Sequence, residues 1–246
     1  ALYMIGIGLN DEKDITVKGL DIVKKCSKVY LESYTSKLNC SIEDLEKFYE
    51  KKVIPVDREF VENHTDELLT NEEDIALLII GDVFSATTHY AVFMRAKELG
   101  IKVHIIHNAS VLTAVGITGL SLYKFGKTAS IPFENENIES PYDVLKENKN
   151  LHTLFLLDLN PKQNKFMPAS EAIDYLMRIE EKRKENVFTK EKLCIVCAQL
   201  GSDSPVIRAG SAEELLNLKI DKFPQCLIVP GDLNFIEEEF IQQWKK

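Results

Sequence analysis

Cysteine occurs only five times, and no long apolar run is present. Each shortage excludes a class. Cys26, Cys40, Cys194, Cys197 and Cys226 are odd in number and irregular in spacing. They do not read as a disulfide framework, and they suggest a reducing compartment. No stretch reaches the roughly 18 apolar residues of a membrane-spanning helix. Leu2 to Leu9 is apolar but short, and acidic residues follow at once, so it does not read as a secretory leader. Basic residues are also in deficit: 30 Lys and Arg against 39 Asp and Glu give a net charge of −9. Such a chain gains no general attraction to phosphate backbones. The H-E-x-x-H, G-x-S-x-G and G-x-x-x-x-G-K-[ST] signatures are missing. His104 and His107 lie an odd distance apart on an expected strand and so face opposite ways; no metal site is expected. Together these features predict a soluble cytoplasmic protein that contacts neither membrane nor nucleic acid.

What is present is an ordinary globular composition, 45% hydrophobic and 28% charged, in a chain long enough to bury a large core without metals or disulfides. Leu2–Leu9 reads as a buried strand. Thr16 reads as the cap of a helix running to Cys26, Lys28–Glu32 as a strand, and Ser41 as the cap of a helix over Ile42–Lys51. A strand at Val53–Val56 and a polar helix at Arg58–Leu69 follow. Ile75–Ile80 is apolar enough for a parallel strand covered on both faces. Next come a helix from His89 to Leu99 closed by Gly100, the strand Lys102–His107, and a helix from a Ser110 cap toward Leu120. This alternation predicts a parallel α/β layer architecture. Character changes near Tyr123–Lys127. Beyond it the expected strands are Thr128–Pro132, His152–Leu157, Lys192–Leu200, Val206–Ala209 and Gln225–Val229. The expected helices are near Asp143–Asn148, Ala169–Lys184 and Phe235–Trp244. Two α/β lobes are expected, residues 1–122 and 123–246. Cys194 and Cys197 form a C-x-x-C, but inside an apolar strand their side chains point to opposite faces; buried small residues is the reading taken.

Three segments carry candidate chemistry. Gly6-Ile-Gly8 follows the first strand, but Asp11 stands where a dinucleotide fingerprint needs its third glycine. A glycine-rich strand end lining a cleft for an uncharged or cationic ligand fits better. Gly81-Asp82-Val-Phe-Ser85 and the Ala86-Thr-Thr-His89 that follows lie at the carboxyl end of a buried strand, where α/β sheets bind ligands. Asp82 suits ribose hydroxyls, amines or peptide donors. Thr87 and Thr88 read either as caps or as ligand contacts. His107-Asn-Ala-Ser110 brings further hydrogen-bonding groups to the same sheet edge, and His107 reads either as a structural histidine or as a general base.

These segments, with Tyr3–Leu9, Asp14-Ile-Thr-Val-Lys-Gly-Leu20, Ala114-Val-Gly116, Tyr123-Lys-Phe-Gly126, His152-Thr-Leu154, Leu157-Asp158 and Ile207-Arg-Ala-Gly210, resemble the diphthine synthase family in order over almost the whole chain. The resemblance implies a two-lobed tetrapyrrole methylase-like α/β fold with the cofactor in the cleft between lobes, and a homodimer. It implies S-adenosylmethionine as methyl donor, leaving S-adenosylhomocysteine. The implied substrate is translation elongation factor 2, at a histidine already carrying an aminocarboxypropyl group whose amino nitrogen is methylated repeatedly. Carried over by position, the cofactor contacts are Leu9, Asp82, Ser85, Ser110, Val111, Leu157, Leu200 and Gln225, the last where the family often has histidine. Val83 replaces the family's usual proline, which restores an N–H and frees φ. No covalent nucleophile is implied and no catalytic base is named; Lys124, Lys127 and Arg208 are candidates to meet the substrate carboxylate. The alternatives are a methylase of another substrate on the same fold, such as a precorrin ring, and a silent cofactor-binding partner.

Overall fold

In the computed structural model, which describes residues 1–69, 72–85 and 89–245, the chain divides into two compact units. One comprises residues 1–114 with 201–203, the other residues 115–200 with 204–246.

The first unit is built on a five-stranded parallel sheet in which β1 (Leu2–Gly6) lies between β4 (Ile75–Ile79) and β5 (Val103–Ile106). Next to β4 lie β2 (Lys28–Glu32) and then β3 (Ile54–Val56). All five residues of β4 are buried, because both faces of the sheet are covered. Ala76, Leu78 and Ile80 join one apolar cluster with Val23 of α1 (Val17–Lys25) and with Leu45 and Tyr49 of α2 (Ile42–Tyr49). Ile75, Leu77 and Ile79 join another with Val61 of α3 (Arg58–Asn63) and with Val92 and Ala96 of α4 (Tyr90–Glu98). The expected caps form: Thr16 accepts from Gly19 N, and Ser41 makes a capping box with Asp44. Gly100 follows α4 with φ +69°, the left-handed residue that ends a helix. The polar helix expected to reach Leu69 stops at Asn63 and continues as a 3-10 turn over Thr65–Leu68.

The second unit is built on a mixed sheet. Its sheet runs β11 (Val206–Ser211), β10 (Leu193–Ala198), β12 (Gln225–Val229), β7 (Thr153–Leu157), β6 (Ala129–Ile131), and only the β6–β7 pair is parallel. The link from β10 to β11 is too short for the crossover that parallel strands need. Its core packs Phe155, Val196 and Leu227 of the sheet against Tyr142 and Leu145 of α6 (Ser140–Asn148) and Ile173 and Leu176 of α7 (Ala169–Arg183). A short hairpin, β8 (Leu159–Asn160) with β9 (Lys165–Phe166), and a one-turn helix, α8 (Ala212–Leu216), complete it with the terminal helix α9 (Phe235–Ile241). The helix expected from Ser110 to Leu120 is only α5 (Val111–Ala114), continued as a 3-10 turn over Val115–Thr118. Gly116 and the β-branched Val115, Ile117 and Thr118 are poor helix formers, and the Thr118 hydroxyl donates to Val115 O at 2.7 Å. α5 belongs to the first unit. Cys194 and Cys197 are buried and free, as small core residues.

Candidate functional site

Sheet order alone marks one place in the first unit. From β1 the chain leaves by α1, packed on one face of the sheet, whereas from the adjacent β4 it leaves by α4, packed on the opposite face. Adjacent parallel strands whose connections diverge leave a crevice at their carboxyl ends. Here the two ends are tied by a pair of backbone bonds, Gly81 N to Gly8 O at 2.7 Å and Gly8 N to Gly81 O at 3.3 Å. Gly8 and Gly81 have φ of +79° and +84°, values that favour glycine. A side chain on Gly6 would come within 2.6 Å of Gly81 O and 3.0 Å of Asn108 Cβ, so glycine there permits the three loops to meet. Asp14 closes the turn after β1, accepting from Leu9 N at 3.0 Å and Asn10 N at 2.8 Å.

Leu9, Asp82, Ser85 and Ser110 are on these loops, and Val111 begins α5 directly after the third. A Cβ on Gly81 would point into space bounded by Leu9 Cδ2, Ala109 O and Ser110 Cα, each 3.8–3.9 Å away. Leu9 is half-buried and closely backed by Gly201, where a Cβ would lie 2.7 Å from its own Cβ. Asp82 is buried. Its Oδ1 accepts from Asn108 N and faces His107 Nδ1, both at 2.9 Å; its Oδ2 accepts from Phe84 N at 3.2 Å and from the Ser85 hydroxyl at 3.4 Å. Burial pushes this carboxyl upward, but the bonds from Asn108, His107 and Phe84 outweigh it and hold it below its ordinary range. Asp82 is therefore an anion already organised by its own chain. The long Ser85 contact is the bond an external donor would most easily displace. Ser110 is buried, and its hydroxyl accepts from Leu112 N at 3.2 Å, as a cap of α5; Val111 opens that helix half-buried. Val83 is fully buried in the apolar cluster beneath the sheet, which anchors the loop by packing. Thr87 and Thr88 lie outside the described residues.

Leu157, Leu200 and Gln225 belong to the second unit, where they share one edge of its sheet. Ala198 pairs with Gln225 and Leu156 with Cys226, so the end of β10, the start of β12 and the end of β7 coincide. Leu157 and Leu200 are buried. The Gln225 amide is engaged within its own unit: Oε1 accepts from Ala169 N at 2.9 Å, and Nε2 donates to Ile220 O at 2.9 Å and Lys222 O at 3.0 Å. Of the cationic candidates, Lys124 is bound to Glu237 and to Asp232 O, both at 2.5 Å. Lys127 lies 3.7 Å from Glu147, and Arg208 donates to Ile207 O at 2.7 Å.

Two groups were not singled out from the sequence. Asn108 ties three segments together, donating to Gly6 O at 3.0 Å and Asp14 O at 2.9 Å and accepting from Ala109 N at 2.7 Å. Its place beside His107 at a strand end was the available signal. Glu32, at the end of β2, has no solvent exposure; it accepts from the Thr35 hydroxyl and backbone, and its Oε2 lies 4.0 Å from the equally buried His89. Burial raises Glu32 to about 7 and lowers His89 to about 4. An acidic residue closing the apolar run Val29-Tyr-Leu-Glu32 was the signal there. Among the described residues no cluster of three or more His, Cys, Asp or Glu is placed to hold a metal ion, and no helix is long and apolar enough to cross a membrane.

Residues 1–216 match the family of tetrapyrrole (corrin/porphyrin) methylases. The diphthine methyl ester synthase of Dictyostelium discoideum is 43% identical, over 99% of this chain and 98% of that protein. The diphthine synthase of Methanococcus maripaludis is 44% identical, over 98% and 97%. The crystal structure of a putative diphthine synthase from Entamoeba histolytica superposes with a TM-score of 0.90 at 37% identity, covering 100% of this chain and 98% of that one.

Proposed function

This chain belongs to the tetrapyrrole methylase family, among the diphthine synthases, and we propose that its methyl donor is S-adenosylmethionine and its substrate translation elongation factor 2. In this reading it methylates, repeatedly, the amino group of an aminocarboxypropyl-modified histidine of that factor, as a cytoplasmic homodimer. The observation that supports it is the meeting of Leu9, Asp82, Ser85, Ser110 and Val111 at the point where the β1 and β4 connections diverge.

The residues fit such a donor. The space left by the missing Gly81 side chain is walled by Leu9 and by the backbone of Ala109 and Ser110, which suits close approach of a ligand. Asp82 offers only acceptors, matched to a ligand bearing positive charge and hydroxyls and mismatched to a phosphate. When bound, the donor supplies a methyl carbon activated by a sulfonium. The chain's part is alignment and charge. Asn108 fixes the distance between the β1 and β5 loops, Asp14 closes the first loop, and Asp82 holds its carboxylate against the β5 loop. Leu157, Leu200 and Gln225 enter the reading through the resemblance alone.

The test is transfer of labelled methyl groups to elongation factor 2 with and without the aminocarboxypropyl precursor. Label on the precursor-bearing factor only is the expected result. Label on neither, with the cofactor bound, would remove the substrate from the reading.

A further inference from the structure

His107 follows the edge strand β5 and is not used by the cofactor reading. Its side chain is 69% exposed, yet its Nδ1 is 2.9 Å from Oδ1 of Asp82, whose side chain is 11% exposed. Asp82 also accepts the Asn108 and Phe84 N–H groups and is held as the carboxylate, so it has no proton to give. The hydrogen of the His107–Asp82 bond therefore sits on Nδ1. With that hydrogen on Nδ1, the position left to accept a proton is Nε2, at the far side of the imidazole, where it has no hydrogen-bond partner among the described residues. A carboxylate that orients an imidazole and selects its tautomer is the arrangement by which a histidine is readied to accept a proton. Phe84 stands edge-on to the ring at 6.5 Å and stacks on Tyr90 at 4.6 Å.

We propose that Nε2 of His107 takes the proton from the ammonium group of the protein substrate before each methyl transfer. This rests on the amine methylation proposed above. Amines are largely protonated near pH 7 and an ammonium has no lone pair. The N–H bond breaks with its electron pair remaining on the substrate nitrogen, the proton goes to Nε2, and Asp82 balances the imidazolium charge. The proton then leaves to water. Each methyl group added to an ammonium displaces one proton, so the same residue acts once per round. Asp82 is the ionisable side chain in bonding contact with His107; Tyr90 reaches it only through Phe84.

Two measurements test this. Nitrogen-15 NMR of the cofactor-free chain should show the His107 ring with its proton on Nδ1; a ring protonated mainly on Nε2 overturns the proposal. His107→Asn keeps an N–H donor toward Asp82 and removes the base. It should keep its melting temperature and bind the cofactor within about threefold of wild type by calorimetry. Label transfer at pH 7 should fall by about 10²- to 10⁴-fold, the range for a lost general base, and the deficit should shrink toward pH 9 as bulk water deprotonates the amine. Transfer within threefold of wild type at pH 7, or a deficit constant with pH, overturns it. Should the Asn variant melt early, His107→Gln carries the same comparison. A wild-type chain that transfers no label fails the substrate reading, and this proposal with it; an active wild type with an equally active variant fails this proposal alone.

Discussion

Asp82 reads from the sequence as an acceptor for ribose hydroxyls, amines or peptide donors, and in the folded chain peptide donors of its own loop and of the β5 loop engage it. Asp82→Ala should therefore do two things. Loss of one charge-assisted bond to the cofactor, about 1.5–3 kcal/mol, predicts roughly 10- to 100-fold weaker binding. Loss of the acceptor for Asn108 N and Phe84 N predicts a lower melting temperature as well. Calorimetry and thermal melting on one variant separate the roles: unchanged affinity with lowered stability would leave Asp82 only structural. Glu32 and His89 allow a second residue-level prediction. Glu32, raised to about 7, contributes stability below its unfolded value near 4.3 that is lost as pH rises through 7. His89, lowered to about 4, contributes stability above its unfolded value near 6.5 that is lost as pH falls through 4. Between about 4.5 and 6.5 the two slopes oppose each other. Wild type should be nearly flat with pH there, while Glu32→Gln should gain stability as pH rises across the same window. A flat profile in the variant would remove His89 from the account.

At the scale of elements, α9 shows how a cap becomes a junction. Asn234 and Glu237 form its capping box. Glu237, almost fully buried, also accepts from Ser121 N at 2.9 Å and His152 Nε2 at 3.1 Å and pairs with Lys124. His152 Nδ1 accepts from Gly231 N at 3.0 Å, so its proton is on Nε2 and the ring is neutral; burial lowers it further, against the pull of Glu237. For Glu237 burial raises the carboxyl, but the bonds from Lys124, Asn234, Ser121 and His152 win and leave it strongly lowered. A carboxyl lowered on folding contributes stability above its unfolded value, lost as pH falls through the folded one. Asn234→Ala should cost about 1 kcal/mol, the worth of a cap. Glu237→Gln should cost about 3 kcal/mol or more, because it strands buried partners, and should flatten the acid limb of the melting curve. The opposite ranking in thermal melts would show that α9 is held by its cap and not by the junction.

At the scale of the whole molecule, the homodimer stands as a proposal. The second unit exposes Leu122, Tyr123, Phe235, Ile236 and Phe240, on α9 and on the turn that Glu237 binds to it. Grouped large apolar side chains of this kind mark interaction surfaces more often than scattered ones. Light scattering at working concentration should give twice the mass of one chain. Tyr123→Asp with Phe235→Asp should lower that mass while leaving cofactor affinity within about threefold. A monomeric wild type would end the proposal.

Local signals were legible where they act within a few residues. The Thr16, Ser41 and Ser110 caps, the buried run of β4, the glycines at strand ends and the ordered motifs of the family could all be read without a fold. Periodicity and capping are properties of neighbouring residues, and the family motifs lie along the chain in order. Other features depended on which strands adjoin. Asp82 meets its donors from Asn108 and His107 because β1 lies between β4 and β5. Lys124, one of three candidates to meet a substrate carboxylate, is taken by Glu237, 113 residues away. The Gln225 amide is spent on Ala169, 56 residues away, and on Ile220 and Lys222. In the second sheet β10 and β11 run antiparallel because the short link between them allows no crossover. Hydrogen-bond partners drawn from distant segments are chosen by sheet order, and no local pattern of side chains encodes that order.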